Sequence, residues 1–176
     1  PVIDHFSPEA EHLSDQNPLD AFVVAPASYS VINKAAMGMA DSVVTSTLAS
    51  AFGRCEREGT PVLFAPAMHG NMHNTILTDS LKRLSDIGSV VISPRQTHGK
   101  NNLASSETIV AETIRTLSQS QLKGCRMIVT GGPIPVPLDR IRVITTKFSG
   151  RLSFEISKEA WFRAANIRLL LGRGCL

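Results

Sequence analysis

The stretch LDAFVVAPASYSVINKAAMGMAD, Leu19 to Asp41, runs an apolar strand into Pro-Ala-Ser and then into a helix rich in small residues. A buried strand that stops on a small polar turn at a helix start places backbone N–H groups, serine hydroxyls and a positive helix end at the carboxyl edge of a sheet. In α/β proteins that edge is where nucleotides bind. The plain alternative is an ordinary strand-to-helix connection with Ser28 as N-cap, and the stretch alone leaves both open.

Outward from it, apolar runs of strand length recur at DAFVVAP (20–26), PVLFAP (61–66), SVVISP (89–94), CRMIVTGG (125–132) and NIRLLLG (166–172). They are short, β-branched and bounded by Pro or Gly, which predicts strands near 21–25, 61–65, 89–93, 126–130 and 167–171, buried on both faces as in a parallel sheet. Helical spacing fills the intervals at Ser30–Met39, Val44–Glu58, Thr75–Ile87, Glu107–Gln119 and Arg151–Ala165. Alternating β and α segments give an α/β class, a three-layer α/β/α parallel sheet. The polar stretch TLSQSQLKGC (116–125) reads as a linker, after which IVTGGPIPVPLDRIRVITTKFSG restarts a strand, a Gly-Gly turn and a helix. The domains expected are 1–118 and 122–176.

Composition narrows the function classes. Eighteen basic residues against 15 acidic ones give a net charge of +3 with no basic run, a mixed solvated surface that argues against nucleic acid as partner. Three cysteines, Cys55, Cys125 and Cys175, without CxxC spacing argue against a disulfide framework or a zinc site and for a reducing, cytoplasmic setting. No apolar run approaches the ~20 residues of a membrane span. Pro1 is no initiator methionine, and PVIDHF reads as the continuation of a longer chain.

His12, then APAS (25–28), GMAD (38–41), APAMHGNMH (65–73) and LKGCRMIVTGGPIPVPLDRIRVIT (122–145) stand in an order that resembles the bifunctional coenzyme A biosynthesis flavoproteins. In that family a phosphopantothenoylcysteine decarboxylase is joined to a phosphopantothenate-cysteine ligase. The resemblance implies a flavodoxin-like, Rossmann-like FMN-binding domain over 1–118, lacking its first strand and phosphate turn, and the start of a second Rossmann-like domain over 122–176. It also implies a trimer-based homo-oligomer and a phosphopantothenoylcysteine-like substrate that loses carbon dioxide to give phosphopantetheine.

Residue by residue, the resemblance makes Ser28, Tyr29, Ser30 and Val31 the flavin turn, with Tyr29, Ser30 and Val31 standing where the family has Ala, Asn and Thr. His12 is the active-site base, a role suited to imidazole because it exchanges protons near neutral pH. Ala67 and Met72 complete the flavin cradle. His69 replaces an Asn that contacts the substrate carboxylate, and His73 replaces a Trp. His69 and His73 stand at i and i+4, the spacing of a helical metal pair, but no third ligand is evident and no metal is expected.

Two departures bear on activity. The family places a proton-donating Cys after the strand corresponding to SVVISP, and RQTHGKNNLASSETI (95–109) has none; His98 or a water would have to replace it. In the ligase-like segment Thr130, Gly131, Gly132, Asp139, Arg142, Ile144, Thr145, Ser149 and Gly150 match the family pattern. Thr146, Phe148, Arg151 and Ser153 stand for its Asn, Ser, Lys and Gly, and Phe148 removes a hydrogen-bond donor. Ligase activity is not expected. A non-catalytic, diverged paralogue that keeps the fold and oligomerises is the alternative reading.

Overall fold

Phe22–Ala27 forms the first strand, β1, and ends where Ser28 accepts a hydrogen bond from Val31 N (3.3 Å) to cap α1, Tyr29–Ala36. These come from a computed structural model, which describes residues 5, 19–97 and 100–174. Within it the chain divides into two compact units, Pro1–Thr113 and Ile114–Leu176.

In the first unit α2, Val43–Glu58, opens on a capping box in which the Ser42 and Thr45 side chains satisfy each other's backbone N–H groups, and it closes on Gly59 at φ 76°, the left-handed geometry that glycine adopts without strain. Then follow β2 (Val62–Pro66), one 3-10 turn (Gly70–Met72), α3 (Thr75–Asp86) and β3 (Val90–Val91). The strands pair in parallel in the order β1-β2-β3. Between Val24 and Ala27 the β1–β2 register slips, next to Pro26, which has no N–H to give the ladder.

The central strand β2 is buried along its whole length and feeds two cores. Val62 and Phe64 pack with Val24, Ile32, Leu48, Leu77 and Leu84 beneath α1, α2 and α3. On the other face Leu63 and Ala65 pack with Ile92, Ala104 and the half-buried Ile109 of α4, Ser106–Leu117. This is the three-layer α/β/α arrangement expected from the sequence.

The expectation that every strand is buried on both faces holds for β2 alone. β1 is an edge among the described strands, and Val23 on its second face is 38% exposed. The strand expected over 89–93 shortens to Val90–Val91; Ile92 N still reaches Phe64 O at 2.8 Å, and Pro94 has no N–H to carry the ladder further. The strand gives way to a small antiparallel pair, β4 (Arg95–Thr97) with β5 (Lys100–Asn102), that the apolar pattern did not signal.

In the second unit β6 (Arg126–Gly131) pairs in parallel with β9 (Asn166–Leu171), joined through α5, Arg151–Phe162. An antiparallel pair, β7 (Val136–Pro137) and β8 (Val143–Ile144), lies between. Both long strands alternate instead of being buried on both faces: Met127, Val129, Ile167 and Leu169 are half-buried, whereas Ile128 and Leu170 are 66% and 58% exposed. Gly131 is required where β6 meets α5, since a Cβ there would collide with the Ser153 side chain. Arg115 donates to the carbonyls of Trp161 (2.5 Å) and Ala165 (2.9 Å) and stacks over the Trp161 ring at 4.9 Å. It thereby puts a cation at the α5 C-terminus, where carbonyls lack intrahelical partners.

Candidate functional site

At the carboxyl edge of β1 and β2 two helix N-termini stand side by side. The first, that of α1, is capped by Ser28; the second, that of α3, is capped by Asn74, whose Oδ1 accepts from Leu77 N at 3.1 Å. Each leaves further backbone N–H groups without intrahelical partners and carries a partial positive charge, a setting suited to an anionic group such as a phosphate.

The four residues of the turn divide by role. Ser28 and Ser30 are exposed, while Tyr29 and Val31 are half-buried against the core. Val31 N is taken by Ser28 Oγ. Hydroxyls and backbone N–H groups are therefore what the turn offers to a ligand, and the Val31 side chain adds no polar group. Such a set fits the phosphate and ring edge of a flavin. Ala67, on the loop after β2, is held next to the end of β1 by its bond to Ala27 O.

Between the end of β2 and Asn74 runs the loop that carries the other candidates. Ala67 N donates to Ala27 O at 3.0 Å, which lays the loop's start against the end of β1. His69 is exposed with extended backbone, and Met72 is 39% exposed. Met72 N bonds His69 O (2.9 Å) and His73 N bonds Gly70 O (3.1 Å), so the two histidines flank one 3-10 turn. They are not successive positions on an α-helical face, and the helical metal pair considered from their spacing does not form. Among the described residues no three His, Cys, Asp or Glu side chains gather as a metal site. His12 and His98 lie outside the described residues, so the catalytic base assigned to His12 has no geometry here.

Beside the turn, Lys34 pairs with Asp41 at 2.6 Å, and Thr45 Oγ1 bonds the other carboxylate oxygen at 3.2 Å. The Lys34 hydrogen bond holds the Asp41 carboxyl below its ordinary range, with Thr45 adding to it. The pair staples the loop between α1 and α2.

Sequence reasoning missed Asn74. Its N-cap role is signalled by an Asn directly before a helical run, but its second contact, with Tyr29 Oη at 3.4 Å, joins residues 45 apart and has no local signal. Asn33 was missed for the same reason: its Oδ1 accepts from Ser80 Oγ at 2.7 Å.

Residues 2–118 match the Flavoprotein family, and residues 122–176 match the DNA/pantothenate metabolism flavoprotein C-terminal domain. The chain is 37% identical over 169 residues to the coenzyme A biosynthesis bifunctional protein CoaBC of Thermococcus kodakarensis, covering 96% of this chain and 40% of that one. It is 35% identical over 175 residues to the protein of the same name from Mycobacterium tuberculosis, covering 92% and 39%. The chain thus spans about two fifths of the length of these relatives. Among solved structures, the FMN-dependent cysteine decarboxylase SpaF superimposes with a TM-score of 0.50 at 24% identity, covering 65% of this chain and 62% of that one; this likeness is one of fold. No described helix is long and apolar enough to cross a membrane.

Proposed function

The chain belongs to the Flavoprotein family, and from that membership we propose that it binds FMN and acts in coenzyme A biosynthesis as a phosphopantothenoylcysteine decarboxylase, in the cytoplasm and within a trimer-based homo-oligomer. The observation that carries the reading is the identity with the Thermococcus protein, which runs through both units. The cofactor assignment is supported by the exposed Ser28 and Ser30 hydroxyls at the N-terminus of α1. In this reading the chain carries a decarboxylase-like domain over 1–118 and the start of a ligase-like one over 122–176.

A bound flavin would take two electrons from the substrate's cysteine thiol and, once carbon dioxide has left, return the same two electrons to the enethiol, so that the cofactor ends the cycle oxidised. The chain's residues do the rest. Ser28, Tyr29, Ser30 and Val31, with Ala67 and Met72, hold and orient the cofactor. His12 accepts the thiol proton. His69, exposed on its loop, contacts the substrate carboxylate, whose loss as carbon dioxide leaves an enethiolate that must be protonated.

That last proton favours a second reading. RQTHGKNNLASSETI contains no Cys to supply it, as expected of a non-catalytic, diverged paralogue that keeps the fold. Two measurements test both readings. Purified chain mixed with FMN should retain a flavin absorbance band through gel filtration, and a colourless product overturns the cofactor assignment. Carbon dioxide release from phosphopantothenoylcysteine by the FMN-loaded chain supports the decarboxylase, with His12→Asn lowering the rate roughly a hundredfold or more; no release at saturating FMN selects the paralogue.

A further inference from the structure

We propose that Tyr29 is a positioning residue for the loop that carries His69, tying the far root of that loop to the first turn of α1. What the loop positions rests on the flavin-site reading above; the tie itself rests on geometry.

The loop has two roots, and they stand on either side of Ser28. At the near root Ala67 N donates to Ala27 O at 3.0 Å. At the far root the Asn74 side-chain amide meets Tyr29 Oη at 3.4 Å, either with the hydroxyl donating to Oδ1 or with Nδ2 donating to the hydroxyl. Residues 27 and 29 thus hold both ends of the segment in which His69 and Met72 are exposed. Each partner at the far root is fixed independently. The Tyr29 ring packs against the core, which sets where its hydroxyl can reach, and Asn74 is oriented by the bond its Oδ1 accepts from Leu77 N as the cap of α3.

Between the roots the segment is short and bonded to itself, His69 O to Met72 N and Gly70 O to His73 N. The Tyr29 contact adds a tie to an end that the cap of α3 already holds, and losing it loosens the far root without releasing it. A second link between the same helices, Ser80 Oγ to Asn33 Oδ1 at 2.7 Å with Asn33 Nδ2 donating to Tyr29 O at 2.9 Å, holds α1 against α3 without touching the loop. The molecule supplies its own control.

Amide hydrogen exchange on the whole chain without added FMN tests the tie. Tyr29→Phe keeps the ring and removes the hydroxyl, and should speed exchange at the hydrogen-bonded amides of Met72 and His73 roughly two- to threefold, the lower end of one net hydrogen bond because the contact is long and exposed. Asn74→Asp keeps the cap and an acceptor for the hydroxyl and should hold loop exchange near wild type, whereas Asn74→Ala should not. Ser80→Ala should leave the loop unchanged. Unchanged loop protection in Tyr29→Phe overturns the proposal, and so does an equal rise in Ser80→Ala, which would mean general loosening of α1 from α3. A wild-type chain that binds no FMN overturns the flavin reading alone, because the exchange comparison is made without FMN.

Discussion

The strand β2 in the first unit and the strand β6 in the second read alike as apolar runs, yet they end in opposite surroundings. Val62, Leu63, Phe64 and Ala65 are fully buried with a core on each face, whereas in β6 Ile128 is 66% exposed and the flanking Arg126 and Thr130 are open to solvent. The contrast continues outside the strands. Ile134 and Ile141, around β7 and β8, are 81% and 93% exposed. The difference lies in what is packed on each sheet face: β2 has neighbours on both edges and helices on both faces, while β6 has β9 on one edge and α5 on one face. A parallel sheet is stable when both faces are covered. Among the described residues the same apolar letters therefore line a two-sided core in one unit and a one-sided one in the other.

The largest expected effect tests that contrast directly. Phe64→Ala should cost about 3–5 kcal/mol, as large-to-small changes of buried aromatic residues do, and should lower the urea midpoint of the first unit sharply. Ile141→Ala removes a side chain that touches little and should stay within about 0.5 kcal/mol of wild type. Comparable losses at the two sites would mean that Ile141 is covered in solution.

The second unit is not loose everywhere, and the next effect marks where it is tight. At Gly131 a Cβ would meet both Oγ and Cβ of Ser153, a side chain held by its own bond to Gly150 O at 2.8 Å. Gly131→Ala should cost about 1–3 kcal/mol as overpacking, and Ser153→Gly in the same chain should recover part of it. Full tolerance of the alanine in thermal melts would show that α5 is free to shift on β6.

A smaller effect belongs to the candidate site. Ser28→Ala removes the cap of α1 and should cost about 1 kcal/mol, whereas Ser28→Trp, which also fills the turn, should lower retained FMN far more than Ser120→Trp near the start of β6 does. Equal FMN loss from the two tryptophans would mark the effect as destabilisation.

Legibility followed the range of the forces involved. The helix read over Val44–Glu58 from its spacing is observed over Val43–Glu58, and the structure adds local start and stop signals that agree with it, Ser42 with Thr45 and Gly59. Ser28 was legible as a cap because that signal too is local. The two-residue length of β3 and the exposed faces of β6 and β9 were not, because an apolar run states what a segment can bury and is silent on which neighbours arrive to bury it. In the site, the turn after β1 and the loop after β2 were legible as separate motifs. Their junction through Tyr29 and Asn74 depends on two side chains 45 residues apart, and no periodicity carries that.

The smallest expected effect compares two carboxylates, one in each unit. Asp41 is held below the ordinary carboxylate range first by the hydrogen bond from Lys34, seven residues away. Asp139 is held low first by the backbone N–H of Ile141, then by that of Arg142 and by its side chain. A lowered folded-state value means that the unfolded chain takes up the proton first, so each carboxylate contributes stability at neutral pH and loses it only as pH falls below the unfolded value near 3.8 and on through the folded one. Asp41→Asn and Asp139→Asn should therefore each sit slightly below wild type at neutral pH and converge on it in acid. Salt separates the two. The Lys34–Asp41 pair is an exposed ion pair open to screening, and its difference should shrink in high salt, whereas the Asp139 turn rests first on short bonds to backbone N–H groups and should keep more of its difference. Urea midpoints across pH and ionic strength read both, and a gap that widens in acid would reverse the sign argued here.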